Sequence, residues 1–299
     1  MKKQAKNSNW YLWALLAIIV LLVGIALIPL LSGSKTIKPS GDYSGMTVRE
    51  ALFAECEARG VALSPEEEAQ LLTICQDAQR QYALLGEHYE LEELMEEERE
   101  FQLFDKLMEA LPLDVKVTDK EVEEWYTVRL NALKRSFEKD PGVFKSQQDL
   151  YDKHGGVPPL VVPEGYVYVR HILVEAEEEA LAIHGKLDSG EDFHTLMKTH
   201  GIDAGMLEEP YVTLGYLVGP YQSAMDYHDE FKDAALALEQ VGDYSGVVRT
   251  PSGYEIIQLL SRLEPGEKSL EQVRNQIYTL LLNSKKSTTL TALLQEWTA

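Results

Sequence analysis

Cysteine is scarce in this chain: only Cys56 and Cys75 occur among its 299 residues. Two cysteines are too few for a scaffold held by several disulfides, and they exclude a zinc site built on several thiolates. Both lie on the apolar faces of consecutive predicted helices. Their positions relative to the turn between those helices differ, so the sequence leaves open whether they form a disulfide or remain two buried thiols.

Positive charge is also scarce, because 28 lysines and arginines stand against 49 acidic residues and the formal net charge is −21. Such a chain has no general affinity for nucleic acid, so we expect its partners to be polypeptides. The sequence also lacks a Walker loop, a dinucleotide fingerprint, a Gly-x-Ser-x-Gly elbow and a His-Glu-x-x-His zinc motif. We therefore predict neither a cofactor nor a metal site.

One long apolar run is present, from Trp10 to Leu31, and it follows Lys2, Lys3 and Lys6. A helix of this length spans a hydrocarbon core of about 30 Å. Lysines before the run place the N-terminus in the cytoplasm and the rest of the chain outside. We predict that residues 1–40 hold a cytoplasmic stub, a single-pass membrane anchor and a linker; the alternative is a cleaved signal peptide.

Residues 41–160 show the patterns of helices. A first apolar face ends at Gly60, a residue typical of helix C-termini. Ser64 with Glu67, and Thr118 with Glu121, have the spacing of capping boxes that open two further helices. We predict a helical N-terminal domain with these bounds.

Residues 161–264 show a different pattern, in which β-branched runs alternate with short helical ones. Strands are predicted after Val167 and after Ser252, with two more at residues 214–218 and 244–248. A helix is predicted at residues 229–238 and two others precede the second strand. The order is β-α-α-β-α-β-β, and the fold class is α+β with a small antiparallel sheet.

Residues 265–299 form one predicted helix that begins at a third capping box, Ser269 with Gln272. Its apolar stripe must be buried against something. Either the stripe packs elsewhere on the same chain, or it forms the seam of a homodimer.

The central segment resembles the parvulin-type (PpiC, rotamase) peptidyl-prolyl isomerases. The resemblance rests on words that occur in the family's order: His-Ile-Leu-Val at 171–174, Gly-Glu-Asp-Phe at 190–193, Leu-Gly-Tyr at 214–216, an Ala/Leu-rich word at 231–238, Val-Gly-Asp-Tyr-Ser-Gly at 241–246 and Ser-Gly-Tyr-Glu-Ile-Ile at 252–257. The flanking helical text is similar to that of PrsA/SurA-type foldases. This second resemblance implies that the C-terminal helix packs on the N-terminal helices.

The parvulin resemblance implies the site residues. Rotation about a prolyl bond needs no nucleophile or cofactor, but it does need an apolar slot for the ring and nearby polar groups. The slot would be lined by Leu214, Tyr227 or Met225, and Phe231. The polar groups would be His171, Asp203 and Thr250, with Glu255 where most of the family has a second histidine.

Glu255 leaves two functions open. If its carboxylate accepts a hydrogen bond from His171, the network is kept with a changed charge, and the chain is an extracytoplasmic isomerase and foldase for unfolded or partly folded secreted polypeptides. If it marks a lost activity, the chain is a weak or inactive parvulin-fold chaperone or scaffold.

Overall fold

The structure, a computed structural model, describes residues 37–84, 86–221 and 227–299. Within these ranges, no helix combines the length and the apolar character that crossing a membrane requires. The predicted anchor between Trp10 and Leu31 lies outside the described residues, as does Met225.

The described chain divides into two compact units. One takes the residues before Asp119 together with Leu281–Ala299, and we call it the helical unit. The other, Asp119–Leu280, is called the sheet unit. The unit boundaries lie at 118/119 and 280/281, whereas the predicted domain boundaries are 160/161 and 264/265, because two helices before the sheet and residues 265–280 after it group with the sheet.

The helices begin and end largely where the caps predict. They are α1 (Val48–Arg59), α2 (Pro65–Leu84), α3 (Leu91–Ala110), α4 (Asp119–Lys139), α5 (Val143–His154), α6 (Glu177–Asp188), α7 (Phe193–His200), α8 (Tyr211–Leu214), α9 (Asp229–Ala237) and α10 (Leu270–Thr298). The predicted capping boxes of α2 and α10 are present, with reciprocal bonds between Ser64 and Glu67 and between Ser269 and Gln272.

The core of the helical unit contains residues from both ends of its sequence. Leu52 and Cys56 of α1 are buried in one cluster with Leu103 of α3 and with Leu290 and Leu294 of α10. The C-terminal part of the α10 stripe is thus buried within one chain. Cys56 and Cys75 are both free thiols, and burial raises the pKa of Cys56 to about 11.

The main sheet has four antiparallel strands in the order β3-β2-β5-β4. They are β2 (Val167–Val174), β3 (Tyr216–Val218), β4 (Val248–Thr250) and β5 (Gly253–Arg262), and a separate two-stranded ribbon pairs β1 (Val161–Val162) with β6 (Gly266–Glu267). The predicted α+β class with a small antiparallel sheet is confirmed.

Both faces of the sheet are covered, which explains the continuous apolar runs in its two central strands. On one face Val167 and Val169 pack with Phe231 of α9. On the other face Ile172 packs with Ile183 of α6 and Leu196 of α7. Alternate residues of β2 therefore serve two separate cores.

Two predicted strand assignments are wrong in their bounds. The predicted strand at 244–248 is displaced: β4 begins only at Val248, and before it Tyr244 forms a single bridge with Gln258. The Ser245 side chain accepts the Ile257 N–H at 3.0 Å, so a hydroxyl takes a bond that a ladder carbonyl would otherwise accept. Leu214, predicted to start a strand, instead ends the short helix α8.

Candidate functional site

Four polar side chains from separate parts of the sheet unit form one hydrogen-bonded network. His171 lies at its centre: Nδ1 is 2.6 Å from Glu255 Oε2, and Nε2 is 2.8 Å from Asp203 Oδ2. Thr250 Oγ1 donates to the other Glu255 oxygen at 2.7 Å. The structure therefore brings together all four polar residues that the resemblance implied.

Strand register accounts for two members of this network. His171 in β2 lies opposite Ile257 in β5, and Leu173 lies opposite Glu255. Because residues two apart in a strand face the same side, His171 and Glu255 are diagonal neighbours on one face of the sheet. Glu255 thus points inward, with 3% of its surface exposed.

A turn positions Thr250 and a loop positions Asp203, the other two members of the network. Thr250 ends β4 and pairs with Gly253 across a tight turn, where its hydroxyl also accepts the Ser252 N–H at 3.2 Å. The loop after α7 is tied to β2 by the bond from Ile202 N–H to the Leu173 carbonyl, 3.0 Å long. Asp203 follows directly and reaches His171 from that loop.

The electrostatics of the network favour a charged imidazole. A neutral ring has one N–H and could donate to only one of the two carboxylates, whereas an imidazolium donates to both. Burial by itself would lower the pKa of His171, but the bonds to Asp203 and Glu255 outweigh it and raise that pKa. The same bond from His171 lowers the pKa of Asp203.

Aromatic rings surround the network, and we call Tyr216, Tyr227 and Phe231 the ring cluster. The Phe231 ring meets the His171 ring edge-on at 5.3 Å between centroids, and Tyr227 stacks on Phe231 at 5.2 Å. Tyr216 lies 5.7 Å from the His171 ring. These rings give the site an apolar wall next to a charged interior.

The slot residues that the resemblance implied are placed unevenly. Phe231 is buried and Tyr227 is partly buried within the ring cluster. Leu214 is 39% exposed at the end of α8, so it is the least enclosed of the described candidates. Met225 lies outside the described residues.

Sequence reasoning missed Tyr216, whose hydroxyl donates to Asp203 Oδ2 at 3.0 Å. It lies in the Leu-Gly-Tyr word, at the first residue of β3. Gly215 just before it has φ of 80°, and a Cβ there would lie 2.4 Å from the Val169 carbonyl oxygen. The place of Tyr216 in that word was the signal in the sequence, and the word alone did not indicate a bond to Asp203.

Helix α5 also contributes to the surroundings of the site. Lys145 Nζ lies 5.6 Å from the centroid of the Tyr227 ring, and Lys153 Nζ lies 5.5 Å from that of Tyr211. Nothing in the sequence distinguished these two lysines. Among the described residues, no group of histidine, cysteine and acidic side chains could hold a metal ion.

Residues 145–275 match the family described as the PPIC-type PPIASE domain. The matched residues lie within the sheet unit, Asp119–Leu280. The match confirms the predicted resemblance to parvulin-type isomerases and extends beyond the predicted segment 161–264 at both ends.

Curated relatives of the PPIC-type domain and its flanks are named foldase protein PrsA. The chain is 29% identical over 196 residues to the one from Clostridium kluyveri, covering 66% of this chain and 48% of the relative. It is 31% identical over 192 residues to the one from Caldanaerobacter subterraneus, covering 64% and 49% respectively. The chain thus spans about half the length of these relatives.

Solved structures show similarity both to longer chains and to the PPIC-type domain alone. The crystal structure of PrsA from Bacillus subtilis aligns with a TM-score of 0.40 and 20% identity, covering 84% of this chain and 78% of that one. The parvulin of Nitrosopumilus maritimus aligns with a TM-score of 0.27 and 37% identity, covering 33% of this chain and all of that one.

Proposed function

We propose that this chain is a peptidyl-prolyl cis-trans isomerase that assists the folding of secreted polypeptides. The PPIC-type match of residues 145–275 supports the reaction, and the similarity to proteins named foldase supports the folding role. As functional parts we propose an isomerase domain at 161–264 and a helical chaperone domain formed by 41–160 together with 265–299.

The reaction itself sets what the site must do. Rotation about the bond before proline has a barrier of about 18–20 kcal/mol, because resonance stiffens the C–N bond and places negative charge on the carbonyl oxygen. A twisted amide carries less charge on that oxygen. A fixed carboxylate beside the oxygen therefore disfavours the planar state more than the twisted one, and an apolar slot keeps water from screening the effect.

Exposure indicates which group faces the substrate, and this observation carries the proposal. The Asp203 side chain is 26% exposed, whereas those of His171 and Glu255 are 7% and 4% exposed. Both ring nitrogens of His171 are already bonded to carboxylates. We therefore assign Asp203 to the substrate-facing role, with His171 fixing it and Glu255 and Thr250 fixing His171 from behind.

A second candidate, a parvulin-fold chaperone without isomerase activity, is favoured by the same saturation of His171. A ring whose two nitrogens both contact carboxylates has no N–H left for the substrate. If the reaction depends on such a donor, this site binds proline-containing chains without accelerating their isomerisation.

An isomerisation assay with a proline-containing peptide separates the two functions, using the full chain in detergent. If the first is correct, the chain accelerates the reaction, and Asp203→Ala and His171→Ala lower kcat/KM by about tenfold to a hundredfold. His154→Ala, an exposed histidine of the same unit, is the matched control and should be unchanged. Peptide binding without any acceleration would support the chaperone.

We also propose that residues 1–40 anchor the chain in the cell membrane, with the bulk of it outside the cytoplasm. The support is the apolar run after Lys2, Lys3 and Lys6. An alkaline phosphatase fusion after residue 299 should be active, and one after residue 8 should be inactive. Activity at residue 8 would reverse the orientation. A homodimer stays a prediction, to be tested by the mass of the purified chain.

A further inference from the structure

We infer that Tyr216 is a positioning residue of this site: its hydroxyl holds the Asp203 carboxylate in the orientation that the substrate meets. The inference rests on the proposed function, because it gives Tyr216 a role in the same reaction. The resemblance assigned no role to this tyrosine.

The hydrogen bonds of Asp203 show why Tyr216 is needed besides His171 and the Gly205 N–H. Its Oδ2 accepts from His171 at 2.8 Å and from Tyr216 at 3.0 Å, while its Oδ1 accepts the Gly205 N–H at 2.9 Å. Asp203 and Gly205 belong to the same loop, so their bond cannot fix that loop relative to the sheet. Among the described residues, only His171 and Tyr216 tie the carboxylate to strands.

Tyr216 is itself firmly held. Its backbone pairs with Val169 at the start of β3, and its ring contacts those of Tyr227 at 5.8 Å and Tyr211 at 4.9 Å. The loop approaches the hydroxyl so closely that a Cβ on Gly205 would lie 2.7 Å from it. The hydroxyl therefore lies directly against the loop that carries Asp203, to which it donates.

The surrounding charges keep Tyr216 a donor. Burial, followed by the charge and bond of Asp203 and the charges of Tyr211 and Glu208, raises its pKa above the ordinary value, so the hydroxyl keeps its proton at neutral pH. The Asp203 pKa is lowered first by His171, whose other side carries Glu255, and also by Tyr216. Removing this hydroxyl should therefore raise the pKa of Asp203.

Three variants test the role in the full chain. Tyr216→Phe removes only the hydroxyl, Tyr216→Leu also removes the ring, and Tyr211→Phe removes a neighbouring hydroxyl that has no hydrogen bond among the described residues. We expect Tyr216→Phe to lower kcat/KM by about tenfold at neutral pH, as for loss of a bond to a charged group. Tyr211→Phe should match the wild type.

The pH profile separates positioning from mere packing. Activity that needs the Asp203 carboxylate is lost as pH falls through its pKa, so the acid limb of Tyr216→Phe should move to higher pH. A profile that superimposes on the wild type, with only Tyr216→Leu impaired, would assign Tyr216 to packing and overturn the inference. So would an equal shift in Tyr211→Phe.

A carbon-13 NMR titration of the aspartate carboxyls decides the inference even if the chain proves to have no isomerase activity. Asp203→Asn identifies the resonance. In Tyr216→Phe the Asp203 carboxyl should titrate at higher pH than in the wild type, and identical curves would refute the bond's role. Absence of activity in the wild type would refute the proposed function alone.

Discussion

Two buried glutamates, one in each unit, have similar hydrogen-bond donors but different surroundings. Glu55 in the helical unit is fully buried and accepts bonds from Tyr43 at 2.6 Å, the Ser40 N–H at 2.8 Å and Arg59 at 2.5 Å. Glu255 in the sheet unit accepts from Thr250 and from His171. Each carboxylate has one hydroxyl donor and one cationic donor.

The difference lies in the cation. An arginine keeps its charge at every accessible pH, whereas a histidine gains or loses charge near neutrality. Glu55 therefore belongs to a permanently charged group of hydrogen bonds, which we call the Glu55 cluster. This cluster holds residues 38–43 against α1, since Arg59 also donates to the Lys38 carbonyl at 3.1 Å. Glu255 joins a pair whose charge varies with pH. The comparison indicates that the buried carboxylate of the helical unit serves stability, whereas that of the sheet unit belongs to the network for which we propose a role in catalysis.

The largest expected effect on stability comes from disrupting the Glu55 cluster. Glu55→Ala leaves Tyr43, Ser40 and Arg59 without their acceptor, and we expect it to lower the free energy of unfolding of the helical unit by about 3 kcal/mol. Fluorescence of Trp297 during urea unfolding, with the other three tryptophans replaced by phenylalanine, reports on this unit. Glu57→Ala, exposed on the same helix, should cost no more than about 0.5 kcal/mol. Equal losses of unfolding free energy in both variants would contradict the stabilising role of the Glu55 cluster.

The pH dependence of stability should differ between the units. Burial would raise the pKa of Glu55, but bonds from Tyr43, Ser40 and Arg59 lower it, so its stabilisation is present above about pH 4.3 and lost as pH falls through the folded pKa. The folded pKa of His171 is raised, so its stabilisation is full below about pH 6.5 and is lost as pH rises through the folded value.

Glu255→Gln tests the second half of this contrast. At pH 6 it should destabilise the sheet unit by about 2 kcal/mol, the usual worth of a bond to a charged group. The difference from the wild type should shrink as pH rises through the folded pKa of His171. Urea unfolding followed by Trp125 as the single tryptophan measures it, with exposed Glu264→Gln as the control. A difference that stays constant with pH would show that the pair does not titrate.

The smallest expected effects come from the two hydroxyl donors. Tyr43→Phe and Thr250→Val each remove one bond to a buried glutamate, and each should cost about 1 kcal/mol in its own unit. Only Thr250→Val should change the isomerisation rate, because only its glutamate contacts the site. A rate loss in Tyr43→Phe as large as that in Thr250→Val would show that the Glu55 cluster also affects the isomerisation rate.

Much of the site could be predicted because its polar members stand in recognisable words. His171 and Glu255 lie in the two central strands. The uninterrupted apolar runs of these strands make the strands recognisable in the sequence. The roles of all four polar residues were predicted only through the resemblance, since neither strand register nor loop geometry is visible in a periodic pattern. Tyr216 was missed because a tyrosine in a strand is ordinary, and only its distance from Asp203 reveals a role.

The errors in strand bounds also have a physical origin. Periodicity marks residues able to form a strand, whereas ladder bonds decide which of them do. At Ser245 the side chain takes the Ile257 N–H, and at Tyr211–Leu214 the chain turns helical before β3. Neither competing hydrogen bond is encoded in hydrophobic spacing.

The ribbon of β1 and β6 has a consequence for how this protein can vary. Val161 pairs with Glu267 and Val162 with Gly266, so the chain enters and leaves the main sheet at neighbouring points. Paired strands keep such points about 5 Å apart. The segment between them therefore has its two ends side by side, so replacing it by a related segment with the same end spacing would leave the flanking chain continuous.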